Sequence, residues 1–330
     1  MKSQIASAWV GTERKSRCGV RAFSLVEILV TVALLSFIIL GLLAMFHQTQ
    51  RAFRSGIAQT DVLESGRAVT HMIVRELEQM TPCHLPHLTN NGTVYYATNF
   101  FAEPSYGFLN PLIQDLPGSD ATRTNRVQRF FFLRKENQDW DGVGYVVLPE
   151  YVEAGAGALY RFRSSPALSR EPRMLSSEFE AAVQTAVDRL ERNPPLPLTN
   201  LPLYRVADGV AHMRVRAIAA NGFPITHYNN APGFWFHQPG REDLLFAQMR
   251  NVAVFGGYSD PVQVACYCVS NVVPASVELE LGLLEPQILR RFRALGNQAA
   301  QREYLSNRVA YVHLFRQQIP IRNVDIKAYQ

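Results

Sequence analysis

Charge is scarce in this chain: 18% of its 330 residues are Asp, Glu, Lys or Arg, against 47% that are hydrophobic. The hydrophobic share excludes a disordered chain and is enough for a sizeable core in one or two domains. Proline is absent from Phe23 to Thr81, so nothing in that stretch breaks a helix by losing an N–H. Cysteine is down to four residues, and only Cys83, Cys266 and Cys268 come after the long apolar run. An even basic surplus is also missing. The net charge is +5, but five of the 33 basic and one of the 28 acidic residues precede Phe23, leaving 28 against 27 in the remainder. A nucleic-acid partner is excluded on that ground, because displacing counterions from phosphates needs a basic face. No internal repeat, Ser-His-Asp set, phosphate-cradling glycine loop or paired-carboxylate motif stands out, so no enzymatic activity, cofactor or metal is assigned.

The chain does have one apolar run with a carboxylate near its start, "RAFSLVEILVTVALLSFIILGLLAMF", residues 21–46. From Leu25 to Phe46 its single charge is Glu27, and as a helix these 22 residues would reach about 33 Å, one hydrocarbon core. An acid in such a span costs about 2.5–3.5 kcal/mol on insertion scales, so it marks a function with a partner. A secretory signal fits poorly: its apolar region would be about 7–15 residues and would end at a small-x-small cleavage site. "LLAMFHQTQ" offers no such site, and Cys18 precedes the run, which disfavours a lipoprotein signal. Arg14, Lys15, Arg17 and Arg21 come before the span, which orients the N-terminus to the cytoplasm by the positive-inside rule and exports the chain beyond Phe46.

"RAFSLVEILVTVALL" resembles the prepilin N-terminus shared by type IV pilins and the pseudopilins of type II secretion. Its features are a basic leader, a small residue before the cut, Phe after it, and Glu four residues beyond the Phe. The resemblance implies cleavage between Ala22 and Phe23, N-methylation of Phe23, and a role for Glu27 in assembly, where it pairs with a neighbouring subunit's new amine and sets axial register. The family's usual residue before the cut is Gly, and Ala22 is the smallest alternative. An acid reaching toward the headgroups is the plainer reading of Glu27.

The helix is expected to continue to Thr81 as an amphipathic extension, with Phe53, Ile57, Leu63, Val69, Ile73, Leu77 and Met80 as the stripe that packs on a globular head, and with Gly56 and Gly66 as weak points. The expected boundaries are leader 1–22, transmembrane helix 23–46, extension 47–81 and β-rich head 82–330. Runs such as "NRVQRFFFLRKE", "GVGYVVLPE", "ALYRFRSS", "PVQVACYCVS" and "ASVELELGLL" read as strands, and an antiparallel meander is the natural arrangement. One helix is expected to open at a capping box, Ser177 with Glu180, and another to start near Pro286 and break around Gly296. The fold class is therefore α+β and pilin-like: a long N-terminal helix on an antiparallel sheet with helical insertions.

"YRVADGVAHMRVRAIAANG", "VVPASVELELGL" and "HLFRQQIPIRN" are similar to the pattern of J-type minor pseudopilins and related large minor pilins. That resemblance implies a minor subunit at or near the tip of a periplasmic pseudopilus. Its partners would be other pseudopilins, the prepilin peptidase, the inner-membrane assembly platform and the membrane itself. The alternatives are a minor pilin of a type IV pilus, serving adhesion or DNA uptake, and a membrane-anchored periplasmic binding domain.

Two smaller signals remain. In an oxidising compartment a disulfide from Cys83 to Cys266 or Cys268 is expected, with buried free thiols as the alternative. A zinc site from these and the "CHLPH" histidines, His84 and His87, matches no common spacing. "NQDWDG", residues 137–142, has the start of a calcium loop, but Leu148 stands where a bidentate Glu is needed, and a hairpin turn at Asp141-Gly142 explains it without metal. His212, His227, His237 and His313 read as structural.

Overall fold

The computed structural model describes residues 24–85, 87–88, 94–105, 111–149, 155–192, 195–225, 251–256 and 264–325. It divides into two compact units, Met1–Gly56 and Ile57–Gln330. The first is helical from Leu25 onward. Helix α1, Leu25–Leu77, starts there and ends in the second unit.

The second unit is built on one antiparallel sheet. Its strands are β3 (Thr98–Pro104), β6 (Gln128–Glu136), β7 (Asp139–Pro149), β8 (Gly157–Arg163), β9 (Leu203–Ile218), β10 (Val252–Gly256), β11 (Val264–Val269), β12 (Ser276–Leu284) and β13 (Val312–Pro320). Two pairs lie outside it, β1 (His87–Leu88) with β2 (Val94–Tyr95) and β4 (Leu112–Asp115) with β5 (Thr122–Asn125), and the second pair has too little apolar content to read as strands. Helix α2 is Pro172–Leu190, α3 is Pro286–Arg293 and α4 is Gln298–Ser306. The architecture is α+β, as the sequence implies.

The order β10-β11-β3-β6-β7-β8-β9-β12-β13 keeps the expected meander from β6 to β9 and then departs from it. The chain leaves β9, pairs β10 with β11, and lays β11 on β3 at the far side of the sheet before β12 returns beside β9. Nothing in the local alternation of a strand fixes which neighbour it takes, so the return is not readable from sequence.

Both faces of the central strands are covered. Val62, Val69, Ile73 and Leu77 of α1 pack on Phe100, Phe130, Phe132, Val143 and Tyr145. On the opposite face Leu175, Phe179, Val183 and Ala186 of α2 pack on Phe101, Phe131, Val146 and Phe162. A third core, with Ile288, Phe292 and Leu305, joins α3 and α4 to Leu284 and Val312. At about 1.5–3 kcal/mol for each large apolar side chain removed from water, these cores dominate the stabilisation of the second unit.

Four expectations are corrected. The buried stripe of α1 is Ala58, Val62, Gly66, Val69, Thr70, Ile73 and Leu77, whereas Phe53, Ile57 and Leu63 are exposed. Gly66 stands in it because an aromatic ring packs directly on the helix backbone there: a Cβ on Gly66 would lie 2.1 Å from the Phe315 ring. α1 stops at Leu77 rather than Thr81, since Met80 bridges to Arg134 and the Thr81 N–H bonds the Leu133 carbonyl, which draws the chain onto β6. α2 opens five residues before Ser177, with Pro172 in its first turn, where a missing N–H costs nothing, and Glu171 makes no side-chain cap. The β6–β7 turn is Asn137-Gln138, with Asn137 at φ 57°, and not Asp141-Gly142. Gly142 and Gly144 lie inside β7, and a Cβ on Gly144 would come 2.6 Å from the Phe179 ring, so these glycines let α2 approach. The break near Gly296 falls where expected, between α3 and α4.

Candidate assembly site at the helix start

Ser24 and Glu27 begin α1 as a reciprocal pair. The Glu27 N–H donates to Ser24 Oγ at 3.2 Å, and the Ser24 N–H donates to Glu27 Oε2 at 3.5 Å. This is a capping box, two of the helix's four orphan donors satisfied by side chains, and its Ser-x-x-Glu signature stands in "SLVE". Sequence reading misses it when the acid is weighed only against the membrane. The positive end of the helix dipole also favours a carboxylate in this turn. Among the described residues Glu27 Oε1 has no hydrogen bond, so the carboxylate keeps an acceptor for a cation or N–H from elsewhere. Ala22 and Phe23 lie outside the described residues.

The rest of the span suits a solvent without hydrogen bonds. Its best 18-residue window has a mean hydropathy of 2.8, and every residue from Leu25 to Phe46 is exposed. Its hydroxyls bond their own helix: Thr31 to the Ile28 carbonyl at 2.9 Å and Ser36 to the Val32 carbonyl at 2.8 Å. Both hydroxyls are then satisfied within the segment, as crossing lipid requires, which leaves the Glu27 carboxylate as the polar group that needs a partner. This helix is long and apolar enough to span a membrane.

The smaller candidate sites do not assemble. Cys83, Cys266 and Cys268 are free and buried, and the expected disulfide is not formed. Cys83 belongs to the α2 side of the sheet, and Cys266 and Cys268, two apart on β11, to the α1 side. Burial raises the Cys83 thiol, and a hydrogen bond to Cys266 together with burial raises Cys268, so neither is poised as a thiolate. Among the described residues no three His, Cys, Asp or Glu side chains gather in a metal-binding arrangement. The side chain of His87 is outside the described residues, as are His227 and His237. In "NQDWDG", Asp141 is held by Arg134 at 2.5 Å, Arg163 at 3.2 Å and Ser164 at 3.1 Å. Two guanidiniums occupy the charge a calcium ion would need, which removes the calcium reading.

His212 and His313 are structural, each bonded to a glutamate, Glu280 at 3.4 Å and Glu285 at 3.0 Å. The Arg126 N–H donates to His212 Nδ1, so Nε2 carries the proton. Burial, and then the Arg123 charge, hold His212 down at about 4.

No family model matches the chain, and neither does any curated protein or solved structure. The three segments similar to the J-type pattern fall on β9, β12 and β13, which are neighbours in the sheet. Sequence spacing alone does not bring them together.

Proposed function

We propose that this chain is a minor pseudopilin, a structural subunit that enters a periplasmic pseudopilus of a type II secretion system through its N-terminal helix, at or near the tip. The observation that carries the reading is α1 itself, one unbroken helix of 53 residues. Its first part is exposed, with Glu27 as the one charge from Leu25 to Phe46, and its last five turns bury one face, Val62, Gly66, Val69, Thr70, Ile73 and Leu77, under a sheet. A membrane anchor needs only the first of these features. The second makes the same helix both the anchor and the spine of a folded domain, which is the division of labour a pilin-like subunit requires.

In this reading the leader before Phe23 is removed by the prepilin peptidase and the new amine is methylated. Glu27 offers Oε1, which has no partner among the described residues, to that amine on a neighbouring subunit, worth most in the low dielectric of the bilayer. The N-terminus starts in the cytoplasm and the sheet unit lies in the periplasm, anchored to the inner membrane. The chain performs no catalysis; its partners are other pseudopilins and the assembly platform.

Mass spectrometry of the protein from its host tests this. The expected product begins at Phe23 with a methylated amine. An intact leader would remove the basis of the proposal and leave a membrane-anchored binding domain. Glu27→Ala should still be inserted and cleaved but should drop out of crosslinked pseudopilin complexes, whereas wild-type incorporation would end the register role.

A further inference from the structure

Strand β13 closes one side of the nine-stranded sheet. It pairs with β12 over nine residues without a register shift, from Ser276 opposite Pro320 to Leu284 opposite Val312. Among the described residues nothing hydrogen-bonds its other edge. Edges of this length are ordinarily blunted by shortness, a bulge, an internal proline or charged side chains, and of these β13 has only charge, at Arg316. Here the only proline is the final residue, Pro320.

The outward face of β9, β12 and β13 carries two cross-strand rows. Arg216, Glu278 and Gln318 form one, and Arg214, Glu280 and Arg316 form the other. The second row alternates cation, anion, cation, and stops on a cation at the open edge. Arg316 pairs with Glu278 and, at 3.3 Å, with Glu280. Glu280 is shared with Arg214 at 3.9 Å and His212 at 3.4 Å, and Glu278 is shared with Arg216. Arg123 also faces Glu280. Two carboxylates thus serve four guanidiniums, and Arg316, 62% exposed, is the one carried by the edge strand; its Nε and Nη2 turn back to the glutamates, and Nη1 takes part in neither pair. On the same face, two residues earlier, Leu314 is exposed, resting over Gly282, which has no side chain to cover it.

We propose that the open edge of β13 accepts an additional strand from a partner protein, with Asp or Glu opposite Arg316 and an apolar residue opposite Leu314. Adding a strand satisfies the unpaired backbone groups, and side chains at alternate positions supply selectivity. An acid there continues the row as cation, anion, cation, anion, at the cross-strand distance where opposite charges attract and like charges repel. A guanidinium fork matches a carboxylate better than an ammonium would. A second copy of β13 is disfavoured, because antiparallel self-pairing centred on the row would set Arg316 against Arg316. Strand addition at this edge does not depend on filament membership.

The test uses the full chain in detergent micelles and labelled synthetic peptides of alternating Thr and Val, with Leu two positions from a central Glu, a central Lys, or a central Glu flanked by prolines. The Glu peptide should bind, protect backbone amides of Val312–Pro320 from hydrogen exchange, and outbind the Lys peptide about tenfold, a like-for-opposite charge difference near 1.4 kcal/mol. Arg316→Glu should reverse that order, a result that misfolding cannot produce. The proline peptide should not bind. Failure of the Glu peptide to bind, equal binding to Arg316→Glu, or binding without protection of β13 would overturn the proposal. So would an Arg316-dependent capture of anionic lipid vesicles or an oligonucleotide in the absence of peptide binding.

Discussion

Strands β6 and β12 are each nine residues long and lie in one sheet, yet one reads QRFFFLRKE and the other SVELELGLL. In β6, Phe130 and Phe132 face α1 while Phe131 and Leu133 face α2. In β12, Val277, Leu279 and Leu281 face α1, and Glu278 and Glu280 stand on the open side among arginines. The difference is coverage. A strand buried on both faces loses its alternation, and one buried on a single face keeps it. A sheet that is roofed at its centre and bare near one edge has a core that tolerates no unpaired charge and a margin built from charge.

The largest effects should come from charging the roofed part. Leu77→Asp from the α1 side, or Phe131→Asp from the α2 side, puts a carboxylate at a site with no solvent exposure. Phe131 also loses its stacking on Phe101 at 5.6 Å and on Phe179 at 5.7 Å. Each should cost several kcal/mol against a total stability of about 5–15, enough to abolish the unfolding transition seen by near-ultraviolet circular dichroism. A cooperative transition at the wild-type temperature in Leu77→Asp would mean that α1 is not packed on the sheet.

Next in size are the ions that the roof does contain. Glu76 of α1 takes Arg161 of β8 at 2.6 Å and the Tyr145 hydroxyl, and the two charged side chains are 14% and 16% exposed. Glu76→Ala strands a mostly buried guanidinium and should destabilise by about 2–4 kcal/mol, below the fully buried limit because some water reaches it. The Arg205–Asp208 pair, 45% and 42% exposed, should yield less than about 1 kcal/mol when broken. Denaturant titrations of both variants give the ratio, and near-equal losses would contradict the coverage argument.

The same contrast explains how much of the fold is legible in the sequence. Continuous apolar runs and clean alternations both announce strands, so β6, β7, β8, β11 and β12 stand close to their expected bounds. β4 and β5 are silent because "LIQD" and "TRTN" carry too few apolar residues. The α1 stripe is misread when large residues are weighted and small ones ignored. On a helix pressed against a sheet, Ala58 and Gly66 mark the contact by being small. The carboxylate at Glu27 stands out for its cost in a membrane, while its bond to Ser24, three residues away, is a local signal that the sequence does contain. Strand order and the separation of Cys83 from Cys266 and Cys268 depend on long-range pairing, which no local pattern encodes.

A smaller effect lies at the bare margin. His212 is neutral in the fold and held at about 4, whereas an unfolded histidine titrates near 6.5. Its folded value is depressed, so the unfolded chain binds the proton first. The stability it contributes is fully present above about pH 6.5 and is lost as the pH falls through 4. The loss should be about 1–3 kcal/mol, with Arg123 and Arg214 opposing the charged ring and Glu280 favouring it. His212→Gln keeps a donor toward Glu280 but cannot titrate. Melting temperatures measured between pH 7 and pH 4.5 should therefore fall less in the variant, and parallel curves would show that His212 carries none of the acid sensitivity.

The smallest effect separates two adjacent residues of α1. Val62 is 4% exposed and lies in the core under the sheet, while Leu63 is 37% exposed. On hydrophobicity alone Leu63 should matter more, and on a size-weighted stripe it would be chosen first. On the observed helix face the order inverts: Val62→Ala removes two buried methyl groups and should cost about 1–2 kcal/mol. Leu63→Ala removes more atoms from a side chain already in contact with solvent and should shift stability by less than about 0.5 kcal/mol. Ala is a good helix former, so helix propensity does not mask either result. Chemical denaturation of the two single variants settles which residue faces the sheet. If Leu63→Ala proves the costlier of the two, α1 is rotated about its axis from the position described, and the close approach at Gly66 and Phe315 fails with it.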